Sequence, residues 1–251
     1  MKILIIGGSG YFGSNFKSIK HDISRPQVRI ENLCNHKKYL EQFDCIINCA
    51  AKIDQDKAKE DKTYRRYMYK VNTFNAIELG EVFDGYIVHI SSPFVFYPRI
   101  SKYANSKYLA HQYYTKRKNS LVVIPAHPYG GENKNGFHAF LERNIDTELI
   151  LDNRTLFNCI DVPLFCSVVF QLVEEGATGI YSIFEHSIHN KYTLAKKLFG
   201  HNPNWKEGVY FEMGAARPRD WTLHNIHTRE GMAINHVCLQ KREEASIYRV
   251  S

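Results

Sequence analysis

The sequence has 251 residues, of which 44% are hydrophobic and 24% are charged, proportions that exclude a disordered chain and allow a sizeable core. The net charge of +7 allows an anionic ligand, but the lysines and arginines are scattered along the chain, so nucleic acid is not the expected partner. None of the six cysteines forms a Cys-x-x-Cys pair, and no apolar stretch reaches membrane-spanning length. We therefore expect no zinc site, no membrane contact and a reducing, cytoplasmic environment.

The first thirteen residues predict a nucleotide site. Residues 2–6 form an apolar run long enough for one buried strand, and Gly7, Gly10 and Gly13 follow at a spacing of three. Glycine lets the backbone approach a pyrophosphate closely, and a helix predicted over residues 14–20 would offer free N–H groups at its start. A glycine triplet alone also fits a plain tight turn, so the rest of the chain must decide between the two.

The second strand is predicted over residues 21–24 and ends at Ser24-Arg25. In dinucleotide-binding folds the residue at this place meets the adenosine ribose, where an acid accepts from the 2′-hydroxyl and a base accommodates a 2′-phosphate. Ser24 and Arg25 lie roughly twenty residues after the first glycine, the offset at which the acid is expected, whereas Asp22 comes too early. The sequence favours NADP over NAD, and the alternative is that Arg25 is a solvated loop charge.

The rest of the first half alternates strands and helices. A buried strand predicted over residues 44–51 ends in Ala50 and Ala51, whose small side chains would let a ligand lie against the backbone. The other predicted elements are strands at 28–33, 85–91 and 121–124 and helices at 35–43, 64–83 and 103–117. This alternation predicts an α/β fold with a Rossmann-type, doubly wound parallel sheet that binds its ligands at the carboxyl ends of the strands.

The second half is less regular. Its patterns predict helices at 137–144, 162–175 and 190–199 and strands at 148–151 and 179–184. We expect an NAD(P)-binding domain at residues 1–185, with part of residues 130–160 contributing to the substrate side, and a small C-terminal substrate-binding lobe at residues 186–251.

Ser92, Tyr103 and Lys107 are the residues that could do chemistry. Tyr103 and Lys107 lie four residues apart, on one face of a predicted helix. A phenol titrates near pH 10, and a lysine ammonium one turn away is expected to lower that pKa. Ser92, at the end of the preceding strand, could hold a substrate oxygen beside the tyrosine. Together the three predict an acid–base site for a carbonyl/alcohol couple.

At this point the chain resembles the extended short-chain dehydrogenases/reductases, a superfamily of nucleotide-sugar epimerases, dehydratases and reductases. Residues 44–51 and the late Arg-Pro segment are similar to those of the dTDP-4-dehydrorhamnose reductases, which reduce a 4-keto sugar nucleotide with NAD(P)H. The matching motifs are Gly7-x-x-Gly10-x-x-Gly13, Asn48-Cys-Ala-Ala51, Val71-Asn72, Ser91-Ser-Pro-Phe-Val-Phe96, Tyr103-x-x-x-Lys107, Pro125-Ala-His-Pro-Tyr-Gly130 and Arg217-Pro218.

The resemblance implies a role for each matching residue. Tyr103 would donate a proton to the ketone oxygen, Ser92 would hydrogen-bond that oxygen, and Lys107 would bind the nicotinamide ribose, with Asn72 completing the hydrogen bonding around the lysine. The implied cofactor contacts are Gly7, Gly10, Tyr11, Phe12, Gly13, Ser24, Arg25, Asn32, Leu33, Ala50, Ala51, Lys52, Tyr103 and Lys107. The implied substrate contacts are Ser92, Pro93, Phe94, His127 and Arg217, the last of them on a diphosphate. For His127 a packed histidine in a proline-rich turn is the alternative.

The predicted function is the NADP(H)-dependent reduction of a keto group, at C4, on a nucleotide-linked deoxy sugar, by a homodimer. One alternative is a sugar-nucleotide epimerase with tightly bound NAD, and another is a non-catalytic NADP-binding protein of the same fold. Dehydratases of this superfamily typically carry Asp-Glu where this chain has Pro93-Phe94, which argues against dehydration. The complete set of Ser92, Tyr103 and Lys107 argues against a non-catalytic role.

Overall fold

An eight-stranded sheet forms the centre of the protein in a computed structural model, which describes residues 1–132, 136–208, 220–223, 234–239 and 248–250. The strands of all sheets are β1 (Lys2–Ile6), β2 (Asp22–Ser24), β3 (Cys45–Asn48), β4 (Tyr86–Ile90), β5 (Ser120–Pro125), β6 (His127–Tyr129), β7 (Leu149–Asp152), β8 (Leu156–Asp161), β9 (Gly179–Glu185), β10 (Ile188–His189), β11 (Trp205–Gly208), β12 (Asp220–Trp221), β13 (Ile234–Leu239) and β14 (Tyr248–Val250).

Helices connect most of these strands. The α-helices are α1 (Ile30–Leu33), α2 (Lys37–Leu40), α3 (Gln55–Glu60), α4 (Lys62–Tyr69), α5 (Asn75–Val82), α6 (Lys102–Lys116), α7 (Phe137–Arg143), α8 (Val162–Glu174) and α9 (Lys191–Phe199). Two short 3₁₀ helices cover Gly13–Asn15 and Pro93–Phe96, and a π-helical turn over Lys70–Phe74 joins α4 to α5.

The main sheet has the order β14-β13-β9-β5-β4-β3-β1-β2. Strands β2, β1, β3, β4, β5, β9 and β13 run parallel, and β14 pairs with β13 in the antiparallel direction. The chain continues from β1 to β2 on one side and reaches β3 on the other, so the order reverses beside β1. Such a reversal opens a crevice at the carboxyl ends of the strands, where dinucleotides bind in this class of sheet. The predicted Rossmann-type architecture is confirmed.

The apolar runs form strands because both faces of the sheet are covered. Residues 3–6 of β1 are at most 1% exposed, as a central parallel strand requires. On one face, α8 packs against the chain that follows β1: the ring of Phe165 lies 4.9 Å from that of Phe12, and the ring of Phe170 lies 5.2 Å from that of Phe16. These contacts with α8 therefore hold the glycine-containing turn after β1 in place.

The helix predicted over residues 14–20 is wrong, because helical structure ends at Asn15 and Phe16 is already extended. Asp22 pairs with Lys2, so the chain must return along the whole length of β1 before β2 begins. A five-residue strand is about 16 Å long, and a seven-residue helix would advance only about 10 Å. An extended segment covers the distance and also buries Phe16 completely.

The strand predicted over residues 28–33 is also wrong, because Ile30–Leu33 is the short helix α1. Ile30 and Leu33 are both buried and lie three residues apart, which places them on one helical face. The thiol of Cys34 donates to the carbonyl of Asn75, which ties this segment to α5 rather than to the edge of the sheet. The helix predicted over residues 35–43 is real but shorter, since α2 covers Lys37–Leu40.

The other predicted elements are confirmed to within a few residues, and Gly200 follows α9 with a φ of 75°. The division into residues 1–185 and 186–251 stays a prediction; β13 and β14, near the C-terminus, belong to the main sheet. In the described ranges, no three His, Cys, Asp or Glu side chains are grouped so that they could hold a metal ion. None of the helices described is long and apolar enough to cross a membrane.

Candidate active site

The three glycines of the Gly7-x-x-Gly10-x-x-Gly13 motif have two different tasks. Gly7 has a φ of +77°, and a Cβ atom there would lie 2.8 Å from the backbone nitrogen of Ala50, at the end of β3. A Cβ on Gly13 would overlap the carbonyl oxygen of Gly7. Gly10 is exposed, and its N–H donates to Gly7 O at 2.9 Å. Gly7 and Gly13 thus allow the turn to close. Gly10 leaves its backbone accessible, so that a ligand such as a pyrophosphate can approach it closely.

Arg25 lies across this turn. Its side-chain carbons pack so closely on Gly8 that a Cβ atom on that residue would overlap them. Its Nε donates to Gly13 O at 3.3 Å, and its Nη2 donates to Phe16 O. Ser24 lies one residue earlier, with its hydroxyl 3.5 Å from that of Tyr39. The structure therefore gives Arg25 a role that the sequence did not indicate: it closes the glycine turn from the end of β2. Its predicted contact with a 2′-phosphate stays a prediction.

Tyr11 and Phe12 connect the turn to the rest of the molecule. The Tyr11 hydroxyl donates to Gly130 O at 3.0 Å, and burial raises the pKa of Tyr11. The backbone oxygen of Phe12 accepts from the thiol of Cys166 on α8. Both side chains are half-buried and pack against the main core, so the structure shows them as supports of the turn.

Ala50, Ala51 and Lys52 follow β3 on the other side of the crevice. Asn72, 1% exposed in the π-helical turn, holds this segment: its Oδ1 accepts from Lys52 N at 2.7 Å and its Nδ2 donates to Lys52 O at 2.9 Å. The same Nδ2 lies 3.0 Å from the hydroxyl of Ser106, which donates to Tyr103 O. Asn72 therefore links the crevice to the start of α6, and its predicted part in the hydrogen bonding around Lys107 stays a prediction. π-Helical turns are often found at functional sites in proteins.

Asn32 and Leu33 lie on α1 instead of at the end of a strand. Leu33 is 1% exposed and belongs to the main core, so its side chain supports the fold. Asn32 is exposed. The cofactor contacts that the resemblance implies for these two residues stay a prediction.

Ser92 and Tyr103 meet at the carboxyl end of β4. Ser92 is the N-cap of the 3₁₀ helix, where its hydroxyl accepts from Phe94 N at 3.4 Å. Tyr103 lies in the first turn of α6, whose N-cap Ser101 accepts from Ala104 N at 3.0 Å. The two caps bring both side chains to the same strand end, where the Ser92 hydroxyl favours the ionised phenol of Tyr103. Burial raises the pKa of Tyr103, and this influence of Ser92 offsets the rise only in part.

Lys107 is buried one turn beyond Tyr103. It is 3% exposed, and its Nζ donates to the carbonyl of Ile90, the last residue of β4, at 2.7 Å. Burial lowers the pKa of Lys107 to about 8, although the Cys49 thiol raises it. The expectation that Lys107 lowers the pKa of Tyr103 is not what the structure shows. Burial dominates, because the ammonium group is turned toward Ile90.

The depressed pKa of Lys107 predicts a pH-dependent stability. The pKa of Lys107 is about 8 in the folded protein and 10.5 in the unfolded chain, so between these two pH values the unfolded state binds more protons. The cost of burying the charge, about 3 kcal/mol, is therefore lost as the pH rises through this window. We expect the free energy of unfolding of Lys107→Met, minus that of the wild type, to fall between about pH 8 and pH 10 in urea titrations. Lys116→Met, which removes an exposed lysine of the same helix, is the control. A difference that does not change with pH would contradict the buried charge.

The predicted substrate residues have mixed outcomes. Pro93 and Phe94 form the 3₁₀ turn, and the ring of Phe94 lies edge-on to that of Tyr103 at 5.6 Å. His127 lies on β6, 4.5 Å from the ring of Phe157 and 5.9 Å from that of Phe137. This aromatic packing matches the packed-histidine alternative, and contact of His127 with substrate stays a prediction. Arg217 lies outside the described residues.

Solved structures with the same fold include sugar-nucleotide enzymes. The dTDP-4-dehydrorhamnose reductase from Clostridium acetobutylicum ATCC 824 has a TM-score of 0.78 at 22% identity, covering 90% of each chain. The one from Bacillus anthracis str. Ames, in complex with NADP, has a TM-score of 0.79 at 21% identity and covers 93% of this chain and 94% of its own. A dTDP-glucose 4,6-dehydratase from Streptomyces venezuelae, with NAD bound, has a TM-score of 0.73 at 14% identity over 89% and 88%.

No protein-family model and no curated protein matches the chain. The structural similarity nevertheless extends over nearly the whole length of these enzymes. The chain therefore shares the fold of these enzymes, as the resemblance of its motifs to theirs predicts.

Proposed function

We propose that the protein reduces a keto group, at C4, on a nucleotide-linked deoxy sugar with NADP(H). The observation that carries this proposal is the placement of Ser92, Tyr103 and buried Lys107 together at the carboxyl end of β4, at the same edge of the sheet as the glycine turn. An acid–base pair beside a dinucleotide crevice suits a carbonyl/alcohol couple. The three enzymes of the same fold support the choice of substrate class, since each is named for a dTDP sugar.

The residues present fit a dinucleotide. Exposed Gly10 offers the open backbone for the pyrophosphate, while half-buried Ala50 and exposed Ala51 line the crevice beside β1. The bonds of Arg25 to the glycine turn use Nε and Nη2, so Nη1 is the nitrogen that would meet a 2′-phosphate. Together with the NADP bound by the enzyme from Bacillus anthracis, this arrangement supports NADP rather than NAD.

The chemistry follows from the positions of three side chains. When bound, the reduced nicotinamide supplies a hydride to the carbonyl carbon. Tyr103 donates its phenolic proton to the carbonyl oxygen, and the Ser92 hydroxyl holds that oxygen beside it. The Ser92 hydroxyl, which favours the ionised form of Tyr103, stabilises the resulting phenolate. Because burial raises the pKa of Tyr103, the phenol is protonated at neutral pH and can act as the acid in the reductive direction.

The deciding experiment measures NADPH oxidation against a panel of 4-keto-6-deoxy sugar nucleotides, with product stereochemistry determined by NMR. We expect turnover with at least one member and none with the corresponding sugars that lack the keto group. A protein that binds NADPH but oxidises it with no member of the panel would support the non-catalytic alternative. NAD that remains bound through purification would favour the epimerase.

The coenzyme assignment gives a second prediction. We expect Arg25→Ala to weaken NADPH binding about 10- to 100-fold more than NADH binding, because a charge-assisted hydrogen bond contributes about 1.5–3 kcal/mol. Loss of the bonds to Gly13 and Phe16 should weaken both coenzymes, so the ratio of the two dissociation constants is the quantity to measure by fluorescence titration. Arg29→Ala removes an exposed guanidinium nearby and should leave the ratio almost unchanged. An unchanged ratio in Arg25→Ala would exclude the 2′-phosphate contact.

A further inference from the structure

Helix α6 carries a third polar side chain in line with Tyr103 and Lys107. His111 lies four residues beyond Lys107, so the three side chains occupy successive turns of one helical face. All three contact the carboxyl end of β4 or the turn that follows it. Tyr103 lies edge-on to Phe94, Lys107 bonds the Ile90 carbonyl, and His111 bonds the Ser91 hydroxyl, with 3.0 Å between Nδ1 and Oγ.

The bond between His111 and Ser91 is shielded from water. His111 is 2% exposed and Ser91 is 5% exposed. Burial, together with the positive charge of Lys107, lowers the pKa of His111 to about 4. The imidazole is therefore neutral at physiological pH, and its bond to Ser91 does not depend on protonation. A buried polar pair of this kind is costly to break, because each partner would lose its hydrogen bond without gaining one to water.

We propose that His111 is a positioning residue, which fixes Ser91 and thereby aims the neighbouring Ser92 hydroxyl at Tyr103. The proposal rests on the proposed function, in which Ser92 and Tyr103 hold the same substrate oxygen. The backbone N–H of Ser91 is bonded to Val123 O at 2.8 Å, so the chain is fixed on one side by β5 and on the other by His111. Misplacement of a reacting group by about 1 Å can lower a rate about 100-fold.

His89 provides a matched control within the same cluster. It lies on β4 two residues before Ser91, is 1% exposed, and stacks on Tyr114 with ring centroids 4.5 Å apart. Within the described residues neither of its ring nitrogens has a hydrogen-bond partner. Burial, Lys107 and His111 hold the pKa of His89 well below its usual range, so this ring is neutral too. His89 thus shares the burial and charge state of His111 but not its bond to the strand end.

The test compares His111→Leu, His111→Asn and His89→Phe in the keto-sugar assay. We expect His111→Leu to lower kcat about 10- to 100-fold with little change in KM or in the dissociation constant of NADPH. His111→Asn keeps a polar atom near the position of Nδ1 and should restore most of kcat. His89→Phe should retain wild-type kcat. Wild-type kcat in folded His111→Leu, or an equal loss in His89→Phe, would overturn the proposal.

Ser91→Ala removes the other partner with almost no change in volume, and it keeps the proposal testable where His111→Leu does not fold. We expect it to lower kcat as much as His111→Leu does. The double variant with His111→Leu should show no additional loss, because both changes break the same interaction. Additive losses in the double variant would show that the two residues act separately.

A measurement on the free protein separates this proposal from the proposed function. In ¹⁵N-histidine NMR spectra, the His111 signals should stay those of a neutral ring well below its ordinary pKa of 6.5, and they should shift in Ser91→Ala more than those of His89. Absence of NADPH oxidation with every keto sugar would refute the proposed function without affecting this result. A His111 ring that titrates normally, or ignores Ser91→Ala, would refute the positioning role even in an active enzyme.

Discussion

Replacing Tyr103 with phenylalanine is expected to lower kcat at least about 100-fold, because the variant lacks the proton that completes the reduction. The phenylalanine ring can keep the edge-on contact with Phe94 at 5.6 Å, so we expect no rearrangement of the site. The dissociation constant of NADPH should change little, since the glycine turn and Arg25 lie elsewhere on the crevice. Steady-state kinetics and a fluorescence titration of NADPH measure the two quantities.

Tyr108→Phe is the matched control for this experiment. Tyr108 is half-buried on the same helix, and its hydroxyl accepts from Gln112 Nε2 at 2.7 Å, away from the end of β4. We expect this variant to keep wild-type kcat. Activity retained in Tyr103→Phe would exclude the tyrosine as proton donor, and an equal loss in Tyr108→Phe would show that α6 tolerates no loss of a hydroxyl.

The grouping of Ser92, Tyr103 and Lys107 at the end of β4 could be predicted because it depends on local spacing. Tyr103 and Lys107 are one turn apart in any helix, and Ser92 follows an apolar run that could form a buried strand. The electrostatics of the site could not be predicted in this way. Whether Lys107 lowers the pKa of Tyr103 depends on where its ammonium group turns, and its acceptor, Ile90 O, belongs to another element.

The connections between strands were the weak part of the fold prediction. Residues 14–20 contain no glycine or proline that would exclude a helix, but the register of β2 against β1 requires an extended return. Similarly, the alternating pattern at residues 28–33 suits a strand, yet Ile30 and Leu33 gain more burial as one turn of helix against α5. Tertiary packing outweighs local preference in both segments.

The role of Arg25 in closing the glycine turn shows a further limit of prediction from the sequence. Its bonds to Gly13 and Phe16 join residues 12 and 9 positions apart, and no periodicity marks such contacts. His111, by contrast, extends the spacing of Tyr103 and Lys107 by one more helical turn, and this signal is present in the sequence itself. His111 continues the helical face of this candidate pair and contacts the same strand end as Lys107 does.

Replacing Gly7 with alanine is expected to weaken NADPH binding about tenfold or more and to destabilise the protein more than Gly176→Ala does. Both glycines have positive φ, +77° and +64°, so either alanine incurs about 1–2 kcal/mol of backbone strain. At Gly7 the new Cβ would also lie 2.8 Å from the nitrogen and 2.9 Å from the Cα of Ala50, and backbone at the end of β3 must move to accept it. At Gly176 nothing in the described structure lies within 4 Å of the Cβ position.

The comparison therefore separates backbone strain from the clash with Ala50. We expect Gly176→Ala to lose only the strain energy in urea unfolding and to bind NADPH as the wild type does. The additional loss of unfolding free energy in Gly7→Ala then measures the cost of moving the end of β3 away from the turn. Equal destabilisation of the two variants, with NADPH binding intact in both, would show that the turn can open without harm. The glycine turn would then not be the cofactor site.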